Sequence, residues 1–154
     1  MAKTLLVGLG NPILTDDAIG WRVVEQTRDH FELGDVDIQL VCVGGLSLAE
    51  LMIGYKRVII VDSIITKRHL PGTVYHLALC SLPETLNSSS AHDTNLTTAL
   101  EALRRFNAPL PDNDAIEFVA VEALDVWTFG ESCTPDVAAS IPTAAERVWS
   151  LLQS

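Results

Sequence analysis

Apolar residues in this chain fall into two patterns: short unbroken runs, and longer stretches in which they recur every three or four positions. Residues 3–8 (Lys-Thr-Leu-Leu-Val-Gly) and 57–63 (Arg-Val-Ile-Ile-Val-Asp-Ser) are runs of the first kind, and residues 36–43 are read as a second buried strand. Without alternation of polar positions, such runs predict strands covered on both faces, as in parallel sheets. Glycine closes the first, and Gly44-Gly45 closes the second. Residues 73–79, after Pro71-Gly72, are more polar and predict an edge strand, and residues 116–121 predict a fifth strand. Helical spacing marks residues 16–31, with Ile19, Val23 and Val24 on one face, and residues 93–106, with Leu96, Ala99, Leu100 and Leu103, stopped by Asn107-Ala108-Pro109. A short helix is predicted over 47–53, with Ser47 as N-cap and Glu50 at the capping-box position. The last stretch carries Val137, Ile141, Ala144, Val148 and Leu151 on one stripe, kinked or restarted at Pro142. Residues 80–91, with Ser88-Ser89-Ser90, are predicted as a mobile loop.

Strands alternating with helices predict an α/β fold. We expect a three-layer sandwich in one domain over residues 1–154, its sheet of about five strands mostly parallel (mixed), with helices on both faces. Sheets of this kind place ligands at the carboxyl ends of their strands. The residues of interest are therefore those that follow Val7, Val43, Val61, Leu79 and Val121.

Charge narrows the partners. Twenty acids against ten Lys and Arg leave ten net negative charges, and residues 107–146 hold eight acids and no Lys or Arg. Phosphate backbones are bound by clustered bases, so nucleic acid is excluded as a partner. The uncharged stretch 4–15 contains two Gly, a Pro and an Asn and is shorter than the ~20 apolar residues that span a bilayer. Lys3 is the only early positive charge and no small-residue cleavage site follows, so no membrane contact and a cytoplasmic location are expected. Cys42, Cys80 and Cys133 are too far apart for a zinc knuckle or a redox pair and read as reduced, buried thiols.

The first loop, Gly8-Leu9-Gly10-Asn11-Pro12-Ile13, has two glycines of a dinucleotide fingerprint, but Ile13 stands where the third would be, and two carboxylates follow. Asp16 and Asp17 have two readings. Each can face the positive end of a helix dipole, worth ~0.3–1 kcal/mol, or they can supply hard oxygen ligands on a loop at the strand ends. Asp62 directly follows Val58-Ile59-Ile60-Val61, and a carboxylate cannot lie in mid-sheet without a partner, so it belongs at the strand's mouth. His92, between the serine run and a helix, is placed to reach the same end of the sheet; His30, His69 and His76 have no such setting. Carboxylate and imidazole ligands with an open position suit nickel, zinc or iron(II) alike. No nucleophile elbow and no His-Glu-x-x-His helix is present.

With these residues assembled, the chain resembles the nickel-iron hydrogenase maturation peptidases, which remove a C-terminal extension from the hydrogenase large subunit once nickel is in place. The resemblance runs nearly end to end. It is carried by Gly8-Leu9-Gly10-Asn11 with Asp16-Asp17-Ala18-Ile19-Gly20, by the strand reaching Asp62, by Ser90-Ala91-His92-Asp93 and by Thr134-Pro135-Asp136-Val137. It implies a metal-contacting, catalytic trio of Asp17, Asp62 and His92, with Asp16 as a candidate general base. It also implies an isolated enzyme free of metal, with the nickel supplied by the large-subunit precursor, and a monomer is expected. Where many relatives have Asp-Gly-Gly-Thr, this chain has Val43-Gly44-Gly45-Leu46, which implies a different substrate surface. Two other readings stay open: a non-catalytic nickel-sensing chaperone for the large subunit, and an esterase like the peptidyl-tRNA hydrolases. The latter share Leu-Leu-Val-Gly-Leu-Gly-Asn-Pro, but their Thr-Arg-His-Asn segment is replaced here by Thr15-Asp16-Asp17-Ala18.

Overall fold

A computed structural model describes residues 3–86 and 95–154. Five strands form one sheet: β1 (Thr4–Leu9), β2 (Val36–Val41), β3 (Arg57–Ile64), β4 (Val74–Ala78) and β5 (Ile116–Glu122). Their spatial order is β2-β1-β3-β5-β4, with every pairing parallel except the edge strand β4, which runs antiparallel to β5. The apolar runs of β1 and β3 are inner strands and the more polar β4 is an edge, as their patterns require. β2, expected to be a buried strand, is instead the opposite edge and only partly buried, because Asp37 and Gln39 interrupt its apolar residues and only β1 pairs with it.

Five helices cover the sheet: α1 (Ile19–His30), α2 (Gly45–Leu51), α3 (Asn95–Arg105), α4 (Pro135–Ala139) and α5 (Ile141–Gln153). Successive residues of each strand serve opposite layers. Leu5, Val7, Val58, Ile60 and Phe118 pack with Leu48, Met52, Leu96 and Leu100 of α2 and α3. Leu6, Ile59, Val61 and Val119 pack with Ile19, Val23, Ala144 and Val148 of α1 and α5. The expected three-layer architecture is the observed one.

Two local expectations differ, and the restart expected at Pro142 is observed. Residues 15–18 form a 3-10 turn before α1 rather than its first turn, because Thr15 is held at φ 51° and the helix starts only beyond Ala18. Helix α2 begins at Gly45, two residues before Ser47, and no side chain caps it, since Gly45 adopts φ 53° and lets the chain enter the helix directly. The C-terminal stripe is two helices, with Pro142 in the first turn of α5, where its missing N–H costs nothing. Of the loop expected over 80–91, residues 80–81 belong to a 3-10 turn over 79–81, and 87–91 lie outside the described residues.

The strand order reverses between β1 and β3: one connection from β1 leads outward through α1 to β2, and the next returns through α2 to β3. Pairing of β1 with β3 ends at Gly8 and Val61, whereas β5 accompanies β3 as far as Ile64. A crevice at the carboxyl ends of β1 and β3 is the topological switch point of the sheet.

Candidate active site

Two glycines let three chain segments converge in this crevice. Gly10 has φ 142°, and a Cβ there would lie 1.9 Å from the Asp17 carbonyl oxygen. At Gly20, in the first turn of α1, a Cβ would come within 2.4 Å of the Val61 and Leu9 carbonyl oxygens. The first loop, α1 and the end of β3 are therefore in backbone contact.

That contact brings Asp17 and Asp62 together. Both are buried, at 3% and 1% exposure. Ser63 joins them: its amide donates to Asp62 Oδ1 (2.8 Å) and its hydroxyl to Asp17 Oδ1 (3.0 Å). The Asn11 amide donates to Asp17 Oδ2 (2.9 Å). Burial pushes the Asp17 carboxyl above the ordinary 3.8, and the charge of Asp62 adds to this against the opposing hydrogen bonds from Asn11 and Ser63. Two carboxylates in one buried place create a demand for positive charge.

His92, the third expected member, lies outside the described residues, three positions before α3 begins. Among the described residues, no group of three or more His, Cys, Asp or Glu side chains is placed to hold a metal ion.

Asp16 has a different environment. Fully buried, it accepts hydrogen bonds from the Leu124 and Asp125 amides (both 3.0 Å), from the Thr134 amide (2.7 Å) and from the Thr134 hydroxyl (2.8 Å). With its lone pairs so occupied, it suits an anchor and not the general base the sequence suggested. Neither acid caps α1 through a side-chain hydrogen bond; both lie in the 3-10 turn that precedes it.

Sequence reasoning missed Ser63, Cys42 and Glu122. The pairing of Ser63 with a buried acid could have been suspected from Asp62-Ser63 at a strand end. Cys42 follows Val41, whose carbonyl accepts from the Gly10 amide (3.0 Å) and the Trp21 indole (3.1 Å). Its thiol pKa is raised by desolvation and by the charges of Asp17 and Asp62. The expectation of buried thiols fails for Cys42 and Cys80, which are exposed, because they stand just past strand ends instead of within the layers. Cys133 is half-buried near Asp16, and desolvation pushes its thiol up to about 11. Glu122 is a second buried anchor, accepting from the Thr66 amide (2.8 Å) and hydroxyl (2.5 Å) and from the Tyr75 hydroxyl (2.8 Å). Its donors lie about fifty residues away in sequence, so no local pattern shows it. His76 binds the Glu117 carboxylate at 3.1 Å on the edge of the sheet, away from the crevice.

A mostly parallel α/β sheet with an acid pair at its switch point is the setting of several hydrolase classes, and comparison with known proteins selects one. The model of the HycI family, hydrogenase maturation protease, matches residues 21–151. The Hydrogenase 2 maturation protease of Escherichia coli is 34% identical over 153 residues, covering 98% of this chain and 91% of the relative. The solved structure of the hydrogenase maturating endopeptidase HybD from E. coli superposes with a TM-score of 0.80 at 29% identity, covering 98% of this chain and 92% of that one. The [NiFe] hydrogenase maturation protease HybD of Thermococcus kodakarensis, at 24% identity and a TM-score of 0.69 over 97% of this chain and 99% of its own, shares the fold. This chain belongs to the hydrogenase maturation protease family, peptidases that cleave the C-terminal extension of a hydrogenase large subunit.

Proposed function

We propose that the protein binds a hydrogenase large-subunit precursor through the nickel already seated in it, and cuts the C-terminal extension at the Asp17–Asp62 crevice. The observation that carries this reading is the pair of buried carboxylates, bridged by Ser63, with the Asp17 pKa raised by desolvation and by its neighbour's charge. A divalent cation presented by the substrate offsets that repulsion, and carboxylate oxygens with an imidazole suit nickel. Asp17, Asp62 and His92 are the residues proposed to contact it, and the ion supplies polarisation of the scissile carbonyl.

The chain's own groups do the rest. Asn11 and Ser63 hold the Asp17 carboxylate in a fixed orientation. A carboxyl with a raised pKa is a better proton acceptor than an ordinary one, so Asp17 takes the proton of the attacking water. A precursor without nickel offers no charge to the pair, which makes metal loading a checkpoint. Action as a monomer in the cytoplasm, where free thiols such as Cys42, Cys80 and Cys133 persist, is part of the same proposal. Val43, exposed where the resemblance leads one to expect an acid, is proposed to alter the substrate surface.

Incubating the purified protein with a nickel-loaded precursor and weighing the product by mass spectrometry tests the reading. Loss of the C-terminal peptide, and its retention when the precursor lacks nickel, is the expected result. A stable complex with intact precursor would instead assign a non-catalytic carrier.

A further inference from the structure

The loop between β5 and α4, residues 123–134, exposes Leu124, Trp127 (61%) and Phe129 (79%) to solvent. Exposed large apolar side chains in one short segment mark an interaction surface more often than an accident of folding. Their backbone is fastened. Besides the bonds to the Asp16 carboxylate, the Asp16 amide donates to the Asp125 carbonyl (2.9 Å) and the Thr15 amide to the Gly130 carbonyl (3.0 Å). The Gly130 amide donates to the Ile13 carbonyl (2.9 Å), and the Thr15 hydroxyl to the Thr128 carbonyl. Within the loop, the Asp125 carboxylate accepts from the Trp127 amide (2.9 Å) and the Thr128 amide (3.0 Å).

The strip to which this loop is tied, residues 13–17, ends in Asp17 itself. Ile13, also exposed, continues the apolar surface toward Asn11, whose amide holds Asp17. Asp125, Glu131 and Asp136 lie in or just past the loop, which itself holds no Lys or Arg, and Arg22 of α1, paired with Glu25, reaches it to donate to the Glu131 carbonyl (3.4 Å). An apolar centre with an acidic edge fits a partner surface that is apolar with a Lys or Arg edge.

We propose that this loop is the grip on the precursor: Trp127 and Phe129 insert into an apolar, base-rimmed surface of the hydrogenase large subunit beside the segment to be cut. The proposal rests on the peptidase reading above and adds the surface by which the substrate is chosen. Aromatic anchors on a backbone already ordered lose little freedom on binding, which is how a few residues come to dominate an interface. Asp16 then acts as a positioning residue. Two adjacent carboxylates divide the labour, Asp17 facing the crevice and Asp16 holding the grip at a fixed distance from it.

The test is the affinity and cleavage rate of the full chain with a nickel-loaded large-subunit precursor, comparing wild type with Trp127→Ala/Phe129→Ala and with Phe106→Ala, an exposed aromatic in the turn after α3. We expect the double variant to keep its melting temperature, to raise Kd and KM at least tenfold, and to change kcat less than threefold. The Phe106→Ala variant should match wild type in all four. Cleavage by the double variant with the wild-type KM would overturn the grip and leave the peptidase reading standing. Equal weakening by Phe106→Ala would also overturn it, since any exposed aromatic would then serve. A wild-type protein that binds the precursor without cutting it would overturn the peptidase reading, while the two Kd values still decide the grip. Unchanged precursor affinity with loss of a wild-type dimer in sedimentation would assign the loop to self-association and overturn the proposal.

Discussion

Asp16 and Asp17 are neighbours in sequence and both are buried, yet their surroundings are opposite. The pocket around Asp16 supplies three amides and a hydroxyl to one carboxylate. The crevice around Asp17 supplies an amide and a hydroxyl, and sets a second carboxylate against it. The first arrangement holds a loop; the second sets two buried carboxylates against each other at the switch point of the sheet. Burial alone does not separate a structural acid from a functional one. The separation comes from counting donors against charges.

The comparison breaks most readily at Asp16. Replacing it with alanine leaves three amides without their acceptor around a fully buried position, and we expect a loss of about 3–5 kcal/mol in urea denaturation, with the 123–134 loop released. A loss below about 1 kcal/mol would show that the pocket is no anchor.

Asp17→Asn should act in the other direction. The folded protein holds the Asp17 proton more tightly than the unfolded chain, whose carboxyl has the ordinary 3.8. Ionising Asp17 therefore removes stability as pH rises from 3.8 through the folded value. The amide cannot ionise, so the variant should melt above wild type near about pH 7, with the gain shrinking as pH falls toward 3.8. Cleavage should be lost in the same variant. A pH-independent difference in melting temperature would contradict the cause assigned to the shift.

The smallest effect is expected far from both pockets. Arg57 binds Glu117 at 2.8 Å, with both side chains about a fifth exposed. Arg57→Ala should cost about 1 kcal/mol or less and leave precursor cleavage unaltered. A large loss of activity there would mean that the charge pattern of the whole sheet, and not the crevice, governs function.

The same contrast explains what could be read in the sequence. Strands β1 and β3 announce themselves because cover on both faces leaves no room for polar positions, and β4 is marked as an edge by its polarity. The place of Asp62 in the crevice was legible because a carboxylate after four apolar strand residues must find an opening, and it lies within β3 one residue past the end of the β1 pairing. The role of Asp16 was not, since its donors at Leu124, Asp125 and Thr134 lie 108 to 118 residues away. Local spacing left Asp16 and Asp17 with the same two readings, and long-range hydrogen bonds tell them apart. Glu122 escaped for the same reason, and the predicted cap at Ser47 gave way to the freedom of Gly45. His92 was singled out by its setting and its resemblance, and its placement lies outside the described residues.

The central claim is that the Asp17–Asp62 pair is kept for its charge and not for stability. Asp62→Asn removes that charge while retaining an oxygen to accept from the Ser63 amide. Measured against a nickel-loaded precursor, with the melting temperature recorded on the same sample, the variant should lose cleavage by about a hundredfold or more and be at least as stable as wild type near neutral pH. Normal processing by a well-folded Asp62→Asn protein would contradict the account.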